Sequence, residues 1–143
     1  MKKLFILLGL TIIVSVSAMA QTTTKRPALP GNLARYINEY PVELMKVASV
    51  KRRLKTLLGK RYSDFAISIQ VQSPMTKVGD FLLGRGCMPH VCTINEAAFV
   101  VDLKNKRIHA AIYEKDKTTK FFNEDKASTP QPLLDWVEEL KKL

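Results

Sequence analysis

A chain of 143 residues makes one domain with a modest single core. Its 23 Lys and Arg outnumber 13 Asp and Glu, and a formal charge of +10 favours anionic partners: lipid head groups, cell-wall polymers or acidic clefts. The only two cysteines, Cys87 and Cys92, are too close together to staple distant parts of a fold.

The chain opens on an export pattern. Met1-Lys2-Lys3 forms a positive n-region, residues 4–16 are an almost unbroken apolar run, and Ser17-Ala18-Met19-Ala20 supplies small residues at A-x-A cleavage positions. The pattern predicts a signal peptide over residues 1–20 and a mature chain beginning at Gln21. Losing Lys2 and Lys3 leaves the protein clearly basic. No cysteine follows the apolar run to carry a lipid, so a soluble periplasmic protein is expected, and nucleic acid is an unsuitable partner there. Residues 21–31 are polar, threonine-rich and end in Pro30-Gly31, a flexible leader into a single domain over residues 32–143.

Residues 32–40 predict one short helix with Leu33, Tyr36 and Ile37 on a common face, interrupted by Pro41, and residues 42–45 a further apolar turn. Residues 49–58 read as a stronger helix. Ser49 suits the N-cap, Val50, Leu54, Leu57 and Leu58 follow helical spacing, and Gly59 sits where a C′ glycine belongs. Its other face carries Lys51, Arg52, Arg53 and Lys55, continued by Lys60 and Arg61. This densest positive cluster is either a solvated amphipathic face or an anion-binding surface.

From residue 64 the apolar period changes to two. Phe65, Ile67, Ile69 and Val71 alternate with Ala66, Ser68 and Gln70, which predicts a half-buried strand ended by Ser73-Pro74. Residues 77–85 predict a short strand leading into the cysteine pair. Residues 96–103 place Ala97, Phe99, Val101 and Leu103 on one face. Residues 107–113 answer with Ile108, Ala110 and Ile112 across a polar turn, and residues 119–122 form a last strand. His109, opposite the inward residues, reads as exposed. Thr129 is a candidate cap for a C-terminal helix whose stripe is Leu133, Val137 and Leu140, with Trp136 beside it. The expected architecture is α+β: N-terminal helices, an antiparallel sheet of about five strands with one polar face, and a terminal helix packed on it.

The Cys87–Cys92 stretch holds one of two histidines, His90, between the cysteines. In an oxidising compartment thiols this near each other pair readily, and so short a loop contributes only about 2 kcal/mol, so its main effect is local shape. A metal site built from Cys87, His90, Cys92 and His109 is the disfavoured alternative, since structural zinc sites more often use C-x-x-C pairs. A third reading makes the loop a recognition device: Pro89 fixes its own φ, His90 offers two ring nitrogens, and Met88 and Val91 add apolar contact.

Cys87-Met88-Pro89-His90-Val91-Cys92, preceded by a strand and followed by an antiparallel hairpin, resembles the C-K-P-H-D-C loop of the periplasmic inhibitors of vertebrate-type lysozyme. The resemblance covers roughly residues 81–136; Met88 stands where that family has Lys, and Val91 where it has Asp. It implies an exported protein without enzymatic activity, in a family whose members often dimerise, which makes a homodimer one expected assembly. It also implies that Cys87 and Cys92 close the loop, that Pro89 shapes its tip, and that His90 enters a lysozyme cleft and hydrogen-bonds its two catalytic carboxylates. Independently, no nucleophile–base pair and no G-x-S-x-G segment is present, and Asp80, Glu96 and Asp102 have no acid–base spacing. No cofactor and no metal are expected. The alternative function is an envelope binding module using the Lys51, Arg52, Arg53, Lys55, Lys60 and Arg61 surface for an anionic polymer, a lipid or a protein partner.

Overall fold

Five antiparallel strands joined in chain order form the spine of the computed structural model, which describes residues 25–143. The expected signal peptide lies outside the described residues. Strand β1 is Val71–Val78, β2 Phe81–Cys87, β3 Asn95–Asp102, β4 Arg107–Glu114 and β5 Lys120–Asn123. Sequential hairpins make the pairing local, so the sheet is a meander in the order β1-β2-β3-β4-β5. The α+β class is as expected.

The expected polar face does not exist. Strands β3 and β4 are buried almost end to end, and odd and even residues enter different cores. Ala97, Phe99, Val101, Ile108, Ala110 and Ile112 face the N-terminal helices, whereas Ala98, Val100, Ala111 and Tyr113 face the C-terminal one. The molecule therefore has three layers, with the sheet in the middle. His109 follows the second parity and is only 2% exposed, which corrects its reading as a surface residue. Its Nδ1 lies 2.8 Å from the Asn123 side-chain oxygen, and the Asn123 amide donates to Thr129 Oγ1 at 2.9 Å. Thr129 thus braces the approach to helix α4 (Gln131–Leu140), while Pro130 takes the N-cap position. Leu133, Trp136, Val137 and Leu140 form the buried stripe anticipated from their spacing.

On the other face lie α1 (Pro41–Met45), α2 (Ala48–Leu58) and α3 (Tyr62–Ile67). Helix α2 begins at Ala48 with extended Val47 as N-cap, one residue before the predicted start, and ends at Gly59, whose φ of 53° only glycine adopts freely. The helix predicted over 32–40 is a single 3-10 turn, Leu33–Tyr36. It stops because Asn38 and Glu39 bond to Met75: Asn38 N–H donates to the Met75 carbonyl at 2.9 Å, and Met75 N–H to Glu39 at 2.7 Å.

The strand predicted from residue 64 is overturned. Residues 62–67 are helical, and the strand begins at Val71. Phe65 and Ile69 are buried, but Ile67 and Val71 are 44% and 49% exposed. The spacing that matters is i, i+4 rather than i, i+2. Phe65 meets Phe99 edge-on, with ring centroids 6.4 Å apart. Ser73-Pro74 does not break the chain either: it lies inside β1, where the register to β2 shifts between Ser73 and Thr76. An edge strand tolerates a proline because one side of its backbone needs no sheet partner.

Two tight features anchor the strand ends. A methyl group at Gly86 would stand 2.6 Å from the Val71 carbonyl oxygen, so only glycine lets β1 and β2 close beside the cysteine loop. At the opposite end, Asp102 closes the β3–β4 turn, accepting from the N–H groups of Lys104 (3.0 Å) and Asn105 (2.8 Å) and from the Asn105 amide (2.7 Å). Burial pushes this carboxyl up, but those three hydrogen bonds outweigh it and hold it below its ordinary range.

Gly86→Ala is expected to lower stability by about 1–3 kcal/mol in urea denaturation, through overpacking of β1 against β2. Because the folded-state pKa of Asp102 is depressed, its contribution is present above the ordinary Asp value and is lost as pH falls through the folded value. Asp102→Asn should therefore cost about 2 kcal/mol at neutral pH and flatten the acid limb of the stability profile.

Candidate functional site

The seven residues between β2 and β3 form two consecutive turns. Cys87 closes β2 opposite Glu96, and Met88 N–H donates to the Asn95 carbonyl at 2.9 Å, carrying the ladder one step past the strands. In the first turn Val91 N–H returns to the Met88 carbonyl at 3.2 Å. Pro89 holds its second position and His90, with φ 67°, its third. Proline followed by a positive φ is the signature of a type II turn, whose third position usually holds glycine or asparagine. Histidine is tolerated there at a cost of about 1–2 kcal/mol, so His90 is held in a conformation that it does not prefer.

The second turn returns the chain to β3. Ile94 and Asn95 both donate to the Val91 carbonyl, at 3.1 and 3.0 Å, and Thr93 N–H donates to the Glu96 carboxylate at 2.9 Å. The Cys87–Cys92 disulfide spans the two turns with Cα atoms 5.0 Å apart. It is anchored on one side only: Cys87 is buried and Cys92 exposed. The pairing removes both thiols from any metal set, and His109 lies in the layer under α4, so the four proposed metal ligands are not assembled.

His90 is exposed at the tip, and Met88, Pro89 and Val91 are half-buried around it. Sequence reasoning missed Ile94, which is 47% exposed and extends this apolar rim; its isolated position two residues past Cys92 gave no pattern to read. The rim is tied to the rest of the sheet by Lys115 N–H, which donates to the Ile94 carbonyl at 2.8 Å. Beside it, Glu114 accepts from Lys117 Nζ at 2.6 Å and from Arg61 at 3.1 Å, and Arg61 also pairs with Asp64 at 2.9 Å. The Lys117 hydrogen bond, with Arg61 adding to it against a burial penalty, holds the Glu114 carboxyl below its ordinary range.

The six cations of the alternative surface separate. Lys51, Arg52, Lys55 and Lys60 are exposed, and the Lys55 ammonium sits 5.4 Å above the Tyr62 ring. Arg61 belongs to the loop end of the sheet. Arg53 is 4% exposed and points inward, its Nε 2.9 Å from Glu124 and its Nη2 bonded to the same carboxylate and to the Lys106 carbonyl at 2.7 Å. It is a structural cation, since a buried guanidinium already satisfied this way has little left for an outside anion.

With this geometry described, comparison with known proteins is informative. The family described as inhibitor of vertebrate lysozyme matches residues 49–142, from the start of α2 to beyond α4, so the likeness extends past the expected 81–136 at both ends. The "Uncharacterized protein y4bG" of Sinorhizobium fredii (strain NBRC 101917 / NGR234) is 28% identical over 104 residues, which is 73% of this chain and 35% of that protein. The chain thus spans about a third of the length of this curated relative. No solved structure matches.

Backbone conformation at the tip predicts a stability series. His90→Asn, which tolerates the left-handed region, should stay within about 0.5 kcal/mol of the native protein in urea denaturation. The β-branched His90→Val should lose about 1–2 kcal/mol more.

Proposed function

Since this chain belongs to the family of inhibitors of vertebrate lysozyme, we propose that it is an exported, non-enzymatic inhibitor whose His90 loop occupies the carboxylate cleft of a lysozyme-type glycoside hydrolase. The observation that carries this reading is an exposed imidazole at the third position of a disulfide-closed turn. A glycosidase cleft holds two carboxyl groups flanking the scissile bond, and it is shaped to admit a narrow projection between them. An imidazole carries two ring nitrogens on opposite edges and can serve one carboxyl with each.

Rigidity supports the reading. Pro89, the left-handed backbone of His90 and the disulfide each remove conformers before binding, so little ordering entropy opposes docking. Met88, Val91 and Ile94 would exclude water around the imidazole, and hydrogen bonds to carboxylates are stronger in such surroundings. Met88 and Val91 carry no charge where the family has Lys and Asp, so affinity in this chain rests on His90 and apolar contact rather than on rim ion pairs. The basic n-region, apolar run and A-x-A site of residues 1–20 support removal of a signal peptide and a periplasmic location, where the disulfide would be maintained.

The test is a cell-wall lysis assay against several lysozyme classes, comparing the native protein with His90→Asn. Inhibition of at least one class is expected, weakened about 100-fold or more in the variant, because two charge-assisted hydrogen bonds are lost. Full lysozyme activity in every class at micromolar native protein would sink the proposal.

A further inference from the structure

The end of the sheet opposite the His90 loop carries a second construction. Residues Glu124–Lys126 follow β5 and turn back toward α2, forming one wall of a depression of about 790 Å³. Its two carboxylates are fully engaged. Glu124 takes the Arg53 guanidinium and the Ile108 N–H at 2.7 Å, while Asp125 takes Arg26 and, at 3.1 Å, Arg107. The Arg26 hydrogen bond holds the Asp125 carboxyl below its ordinary range, so it stays ionised and paired.

Three further lining cations, Lys25, Arg52 and Lys126, make no ion pair among the described residues. The lining holds five cations in all against those two anions, so the depression keeps an excess of three positive charges. Its backbone is unusual: Asp125 (φ 57°, ψ 23°) and Lys126 (φ 54°) are successive left-handed residues without a glycine. L side chains disfavour such a pair, and here Asp125 is clamped by two arginines. Outside the depression the positive track continues. A shallower neighbouring hollow shares Arg52 and Thr56 and adds Lys51 and Lys55 on the exposed face of α2.

We propose that this depression binds a phosphate ester, with Arg52, Lys25 and Lys126 contacting one phosphate and Lys51 and Lys55 positioned for a second. Guanidinium matches phosphate oxygens in a bidentate fork, and lysines add point charge around it. Given the export proposed above, on which this choice of sources rests, the phosphate ester can come from a phospholipid head group or from a phosphorylated glycan, and both present the same chemistry. Strand β3, about 23 Å long at 3.3 Å per residue, runs from the His90 loop toward this end of the sheet. A protein held on an envelope surface through this end would therefore keep its loop free.

The test uses the purified protein at low ionic strength with two probes: inorganic pyrophosphate by isothermal titration, and phosphatidylglycerol–phosphatidylcholine vesicles by co-sedimentation. The variant pair Arg52→Glu with Lys126→Glu is compared with Lys115→Glu and Lys120→Glu, which make the same charge change at the loop end. Pyrophosphate binding weakened about tenfold or more by the first pair and less than about twofold by the second is the expected result. The neutral pair Arg52→Gln with Lys126→Gln should show the same order with a smaller loss. Co-sedimentation with the anionic vesicles supports a lipid source, and pyrophosphate binding without it rules out this head group and favours the phosphorylated glycan. Equal weakening by both charge-reversal pairs, or no pyrophosphate binding at all, would overturn the proposal.

Discussion

Strands β3 and β4 are buried on both faces, and every exposed feature of the protein follows from that constraint. A central strand covered by α1–α3 on one side and α4 on the other has no free surface on which to present a functional side chain. The outer edges are restricted too. Strand β1 is capped by Asn38 and Glu39 bonding to Met75 and carries Pro74, while β5 is only four residues long. Exposed turns are left to the ends of the sheet, outside the protected layers. The His90 loop occupies one end and the Glu124–Lys126 depression the other.

The two histidines show how that layering assigns roles to identical side chains. His109 sits at a strand position under α4, where its Nδ1 is satisfied by Asn123, and it serves the link between β5 and α4. His90 sits two residues past the last paired residue of its ladder that bonds across, on a backbone conformation it does not favour, with its ring in solvent. A buried histidine with a partner is structural cement. The exposed one stands on a turn whose backbone is fixed by proline, disulfide and cross-strand bonds.

Most of the arginines are built into joints. Arginines 26, 53, 61 and 107 make ion pairs between segments distant in the chain, with Arg53 tying α2 to Glu124 after β5 and Arg61 tying the start of α3 to the end of β4. A planar guanidinium can satisfy a carboxylate and a carbonyl together, so it can be built into a packed joint. Many of the lysines remain at the surface. At the loop end Arg61 and Lys117 are paired with Asp64 and Glu114. Among the described cations without an ion pair, Lys51, Arg52 and Lys55 lie together along α2, with Lys25 and Lys126 beside Arg52.

Local patterns determined a good part of this. The helix ending at Gly59, the β3–β4 hairpin, the Leu133–Trp136–Val137–Leu140 stripe and the Cys87–Cys92 loop between strands were all legible, because periodicity, turn chemistry and cysteine spacing are properties of neighbouring residues. The failures share one cause. Phe65 and Ile69 fit a strand or a helix equally well until Phe99 is placed against them. Ser73-Pro74 reads as a breaker until β1 is known to be an edge, and His109 and Arg53 read as solvent-facing until α4 and Glu124 cover them. Burial on a second face and the identity of a distant ion-pair partner depend on residues tens of positions away in the chain. Only the packed layers decide them, and they decided which histidine faces solvent and which cations remain free to bind.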